Sequence, residues 1–221
     1  MTSNIPHYPP HMSREEARLT KERRTQFAAA LRTKSKLFRW RHAGGLIFRQ
    51  HGDWFVEVLP SILWQRGALA RMNIKPMAVD PLFWRVVGLQ ENESQPLSFR
   101  ANGAWVLRPP SIEAHLGQDE ESPERLSELV LDWSTDQLSF VATRSIDGML
   151  SDIAQLGPRR SQFAALEICL HLLKEDFDRA LELCRERGPN ETGGFTTGNK
   201  TFFDQAGEWI VASRRGSIRL A

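Results

Sequence analysis

Apolar residues are sparse at the start of the chain and then fall into two regimes, one with a period near two and one with a period near 3.6. Ser13-Arg14-Glu15-Glu16 has the form of a capping box, in which Ser13 accepts from the third helical N–H and Glu16 reaches back. Leu19, Phe27, Ala28 and Leu31 then give one weak apolar side to a helix expected to end near Thr33, with basic residues on its other faces. Ahead of it, residues 1–12 carry three prolines and no periodicity, the signature of a mobile tail.

From Lys36 to Asn73 the pattern becomes that of strands. Leu37 to Arg41, Leu46 to Arg49 and Trp54 to Leu59 are short β-type runs punctuated by Gly44-Gly45 and Gly52-Asp53, a meander signal that a strand over Ala68 to Ile74 extends. Asp80-Pro81 supplies an N-cap and a proline at the first position of a short apolar helix running to Val87. Leu97 to Arg100 and Ala104 to Leu107 flank Asn102-Gly103, which suits a type I′ hairpin, and Pro109-Pro110 stops it. After an acidic linker, residues 111–121, the helical period takes over.

Ser122-Pro123-Glu124 opens a helix with Leu126, Leu129, Val130 and Trp133 on one face. Ile146 to Leu156 forms another, closed by Gly157-Pro158, and Ser161 caps a long helix carrying Leu166, Leu170, Leu173, Phe177 and Leu181 as far as Gly188-Pro189. Phe202, Phe203, Ala206, Trp209 and Ile210 mark a last helix, followed by a frayed basic tail over 214–221. The expected fold is α+β: an N-terminal helix, an antiparallel meander of about five to six strands with a short inserted helix, then a helical C-terminal half. The expected division is an α+β region over 13–110, the linker, and a helical region over 122–213 that packs on the sheet or forms a subdomain. This order is loosely similar to small bacterial α+β proteins, some immunity proteins among them; the resemblance is one of architecture and transfers no site.

Composition places the chain among ordinary globular proteins: 221 residues, 41% hydrophobic, 25% charged, net charge +2. No apolar run approaches the length of a membrane helix, no secretory leader is evident at the N-terminus, and two cysteines make no disulfide scaffold. A cytoplasmic setting is therefore expected. The total conceals an asymmetry. The first fifty residues hold eleven Lys/Arg against three acids, whereas Glu113 to Asp136 holds eight acids and one Arg. Such a separation can steer a charged partner, although solvated faces that happen to differ in sign are the commoner explanation.

Catalytic motifs are missing. Gly193 to Thr201 resembles a phosphate-binding loop, but Asn199 stands between the second glycine and Lys200, and a helix precedes it where a strand is required. His7 and His11 lie in the tail, and His42, His51, His115 and His171 have no partner at metal-ligand spacing. His42 and His51 read as exposed strand-end histidines and His171 as a packed or partly exposed one. Cys169 and Cys184, on one continuous helix, would stand about 22 Å apart, too far to bridge. Asp53 and Glu57, about 13 Å apart along a strand, exceed the spacing of paired glycosidase carboxylates. The sequons at Asn92, Asn190 and Asn199 read as accidental. The dense segment Lys75 to Trp84 is expected to bury Phe83 and Trp84 at a corner between sheet and helix. No cofactor and no metal is implied.

Recognition is therefore the leading expectation. A protein-interaction module, in its narrower form one that neutralises a toxin, would use Glu113, Asp119, Glu120, Glu121, Glu124, Glu128 and Asp132 against a basic surface. The alternative is RNA or DNA binding through Arg18, Lys21, Arg24, Lys34, Lys36, Arg39 and Arg41. There, strand alternation would send Phe38 and Trp40 into the core, away from a stacking role, and the aromatic signature of an RNA-recognition sheet is missing. An enzyme with an unrecognised site is the third reading.

Overall fold

A capping box opens the first helix as its spacing dictates. Ser13 Oγ accepts from the Glu16 N–H at 3.2 Å and Glu16 accepts the Ser13 N–H at 2.7 Å, which holds the Glu16 carboxyl below its ordinary range. The computed structural model describes residues 13–63, 67–102, 105–118, 120–187 and 191–215. The expectations for 1–12, for Gly103 and Ala104 in the proposed hairpin, for Asp119, for Asn190 and for the tail beyond Arg215 lie outside those residues.

The helix α1 spans Arg14–Ser35. Strands β1 (Arg41–Ala43), β2 (Leu46–His51), β3 (Trp54–Ile62), β4 (Ala68–Pro76) and β5 (Ile112–Leu116) form one sheet in sequence order. Gly44 and Gly45, at φ +57° and +82°, make the two-residue turn that pairs β1 with β2, setting Arg41 opposite Phe48 and His42 opposite Ile47. Between β4 and β5 lie α2 (Val79–Val86), a short helix α3 (Phe99–Asn102) and two single 3₁₀ segments. Helices α4 (Pro123–Asp136), α5 (Leu138–Ala142), α6 (Ile146–Ala154), α7 (Ala164–Leu173), α8 (Phe177–Arg185) and α9 (Phe202–Arg214) complete the chain, with a small β6–β7 hairpin (Thr196–Thr197, Lys200–Thr201) before α9. This is the expected α+β order, with five strands in the main sheet.

The chain divides into two compact units. One takes the described residues of 1–49, 57–72 and 112–138; the other takes those of 50–56, 73–111 and 139–221. In the first, α1 packs along α4, burying Phe27 and Leu31 from one helix and Leu126, Val130 and Leu131 from the other. In the second, Phe83 is fully buried, stacked on Phe202 at 5.5 Å and edge-on to Trp84 and Phe195 at 4.9 and 5.2 Å. Phe83 and Trp84 are core residues, as expected.

Five expectations are corrected. Leu37 to Arg41 is not a strand: residues 36–39 turn, Arg39 takes φ +60°, Leu37 is 80% exposed, and only Arg41 enters β1. The flanks of Asn102 are helical turns, because Phe99 packs on Trp84 and Val106 and Leu107 are buried as a cluster that two exposed hairpin strands could not provide. Residues 112–116, within the expected linker, form β5; Ile112, Ala114 and Leu116 alternate with exposed Glu113 and His115, a period of two obscured by the acids around it. The long helix after Ser161 is two helices: Glu175 adopts φ +58° and Asp176 caps α8, so Cys169 and Cys184 sit on different helices as free thiols.

The fifth concerns Asp80, which does not cap α2. Ala78 holds the cap position, and the Asp80 carboxylate is buried beside Lys75 and Arg100. Lys75 Nζ lies 2.8 Å from Asp80 Oδ1, donates to the Arg100 carbonyl at 2.9 Å and stands 5.4 Å from the Phe55 ring centroid. Arg100 lies 3.7 Å from Asp80 Oδ2 and donates to the Met77 carbonyl at 2.7 Å. Lys75, at contact distance, and Arg100, further off, are the charges that face the carboxylate. Burial outweighs the two cations and pushes the Asp80 carboxyl up.

Candidate functional site

Opposite charges separated along the sequence meet in the first unit. The last turn of α1 carries Arg32 and Lys34, placed where the helix dipole favours cations. Lys34 donates to Glu128 of α4 at 2.7 Å and to the Glu124 carbonyl at 3.2 Å, Arg23 donates to the Glu121 carbonyl at 2.9 Å, and Arg125 lies 3.3 Å from Glu128. These donors, Lys34 first, hold the Glu128 carboxyl below its ordinary range. On the sheet, Arg71 of β4 donates to Glu113 of β5 at 2.9 Å, directly across the register.

The acidic candidates thus divide. Glu113 and Glu128 are engaged by cations of this chain and Glu121 lends its carbonyl, whereas Glu120, Glu124 and Asp132 are exposed. The basic candidates divide as well. Arg18 is spent on Glu15 and Glu22 of its own helix, Lys34 on Glu128, and Arg24 is half-buried, while Lys21 is exposed. Lys36, Arg39 and Arg41 are exposed and have no carboxylate partner among the described residues.

Those three belong to a larger cationic corner whose other members, Arg32, His42 and Arg49, sequence reasoning did not assemble. Trp40 is its pivot. The indole is buried, its Nε1 donating to Thr135 Oγ1 of α4 at 3.2 Å, and the Arg49 guanidinium lies 5.5 Å from the ring centroid. Partial burial, and then the Arg39 charge, push the Arg49 guanidinium down; burial, and then Arg32, push the His42 imidazole down. His42 is half-buried rather than exposed, and both its Nε2 and Arg49 Nε are covered without an acceptor. The neighbours that shift these groups are therefore cations. The one signal in the sequence was Gly44-Gly45, whose tight turn folds β2, and Arg49 with it, back along β1.

Among the described residues no exposed aromatic accompanies this corner, since Trp40 is buried and Phe38 half-buried; the exposed apolar residue described there is Leu37. Elsewhere, His171 Nδ1 and Asp176 Oδ2 lie 2.9 Å apart at the α7–α8 turn, and the buried Glu167 pairs with Arg160. Asp53 is exposed in a turn and Glu57 is buried in β3. Among the described residues no three His, Cys, Asp or Glu side chains converge as metal ligands would, and no helix is long and apolar enough to cross a membrane. No protein family, curated protein or solved structure matches the chain, so the geometry alone must carry a functional reading.

Proposed function

We propose that this protein is a protein-interaction module that binds an acidic partner segment through the cationic corner. One observation carries the reading: Arg32, Lys36, Arg39, Arg41 and Arg49 are gathered at one end of the first unit with no carboxylate to answer them among the described residues. Like charges held close repel one another, and a partner of opposite sign relieves that repulsion. Exposed Leu37 among them suits a protein surface, where arginine and apolar anchors combine.

Nucleic acid is the weaker reading of the same corner. Single-strand binders stack bases on exposed aromatics, and here the indole is spent on Thr135. The exposed acids of α4, the helix packed against α1, also disfavour a long polyanion. Toxin neutralisation through the acidic segment is weaker again, because Glu113 and Glu128 already have partners within the chain. A fluorescein-labelled peptide alternating Glu and Leu and an oligothymidine of equal charge, titrated against the protein in parallel at physiological salt, separate the readings. The proposal expects the peptide to bind at least tenfold tighter. Tighter binding of the oligonucleotide would transfer the site to nucleic acid, and binding of neither would remove it.

A further inference from the structure

In the second unit, α8 and α9 leave an open groove of about 680 Å³ between them, within the range of small-molecule sites. Its floor is apolar, formed by Leu181, Cys184, Phe203, Val211 and Ala212, and Val211 is one of few large apolar side chains left exposed among the described residues. Gly207 lies in the middle of this floor, inside α9, where a glycine weakens the helix relative to alanine. Close packing does not account for it: a Cβ there would meet only Leu181 Cδ1, at an ordinary 3.9 Å. What the glycine preserves is the open space itself.

The rim is charged, and its acids are more committed than its bases. Asp204 holds the α9 cap at Thr201, Glu208 pairs with Lys200 at 2.6 Å, and Glu191 reaches Arg187 at 3.6 Å. Arg187 lies 5.8 Å from the Phe203 ring centroid with its Nε covered and without an acceptor. Arg185 and Arg215 are exposed and have no carboxylate partner among the described residues. The geometry points to a binding site for a small amphiphilic carboxylate, a single apolar chain on the Leu181–Phe203 floor with its head group on Arg185 at the Phe203 end, the guanidinium being the side chain best shaped for a carboxylate; Arg215 stands at the opposite end, next to the Arg214–Asp178 pair.

Cys184 reports on the groove directly. It is half-buried, with its thiol pushed up by burial to about 11, while Cys169 is fully buried and serves as an internal control. Maleimide labelling of the native protein, followed by mass spectrometry, should modify Cys184 and spare Cys169. Decanoate should slow the Cys184 reaction at least fivefold, at concentrations where decanol, the uncharged chain, does so less than twofold. Arg185→Gln should erase that preference while Arg215→Gln, at the far end, should keep it, and Gly207→Leu, which fills the floor and favours the helix, should weaken decanoate at least tenfold with circular dichroism unchanged. Equal protection by decanol, full binding by the Gly207→Leu protein, or a Cys184 as slow as Cys169 before any compound is added would each overturn the site.

Discussion

Replacing Lys75 with Met keeps much of the side-chain shape and removes its charge, leaving the Asp80 carboxylate with only Arg100, at 3.7 Å, in a site where the Lys75 and Asp80 side chains are 5% and 3% exposed. Breaking a buried pair by removing one partner costs about 3–5 kcal/mol, whereas replacing both by uncharged groups is often neutral. Lys75→Met should therefore lower the melting temperature by about 6–20 °C, taking about 2–4 °C per kcal/mol for a chain of this length. Adding Asp80→Asn should recover most of that loss, a coupling that a double-mutant cycle in urea isolates. The transition of the unit containing 73–111 is the one that should move. A pH arm supplies the sign. Because burial raises the Asp80 carboxyl above its ordinary 3.8, its contribution is fully present below that value and is lost as pH rises through its folded value. The stability of the wild type relative to Asp80→Asn should therefore fall steadily over that range. If Lys75→Met alone costs less than about 1 kcal/mol, as for exposed pairs, the argument from burial fails.

Gly67→Ala should be among the most damaging single changes, since φ is +72° and the new Cβ would fall 2.5 Å from the Leu116 carbonyl; the urea midpoint of the variant reads it directly. Phe83→Ala should cost about 3–5 kcal/mol, through the cavity left between Trp84, Phe195 and Phe202, visible as a lowered thermal midpoint. Thr201→Ala removes the α9 capping box, in which Thr201 and Asp204 bond reciprocally, and should cost about 1 kcal/mol with faster amide exchange confined to the first turn of α9.

Local rules were legible in the chain where they did not compete. Ser13 with Glu16, Gly44-Gly45 and Ser122-Pro123 each specify their neighbours within four residues, and each appears as its spacing requires. Illegible features were those decided by distant partners. Asn102-Gly103 has hairpin chemistry, but Phe99 and Leu107 are drawn into a core built largely from α7 and α9. Asp80 has cap chemistry, but Lys75 and Arg100 bury it. Glu175 gave no warning, since a glutamate at positive φ follows no helix-stop rule and interrupts a continuous apolar stripe.

The charge pattern shows the same division. Basic and acidic segments were plain to read; whether they fold against each other was not. The packing of α1 on α4 brings Lys34 to Glu128, and the β4–β5 register brings Arg71 to Glu113. What survives the cancellation depends on the Gly44-Gly45 turn and on Arg49 lying over Trp40, contacts that no linear count of charge contains.

The location of the proposed site is tested most directly by the affinity of the Glu-Leu peptide for two charge-reversed proteins. Arg39→Glu with Arg41→Glu removes two exposed cations from the corner, and Lys21→Glu changes an exposed cation of α1 outside it. Fluorescence anisotropy should show the corner variant at least tenfold weaker than wild type, a loss of about 1.4 kcal/mol or more, and the Lys21 variant within twofold. Equal weakening by both would mean that net charge rather than this corner binds the peptide, and undiminished binding by the corner variant would contradict the account outright.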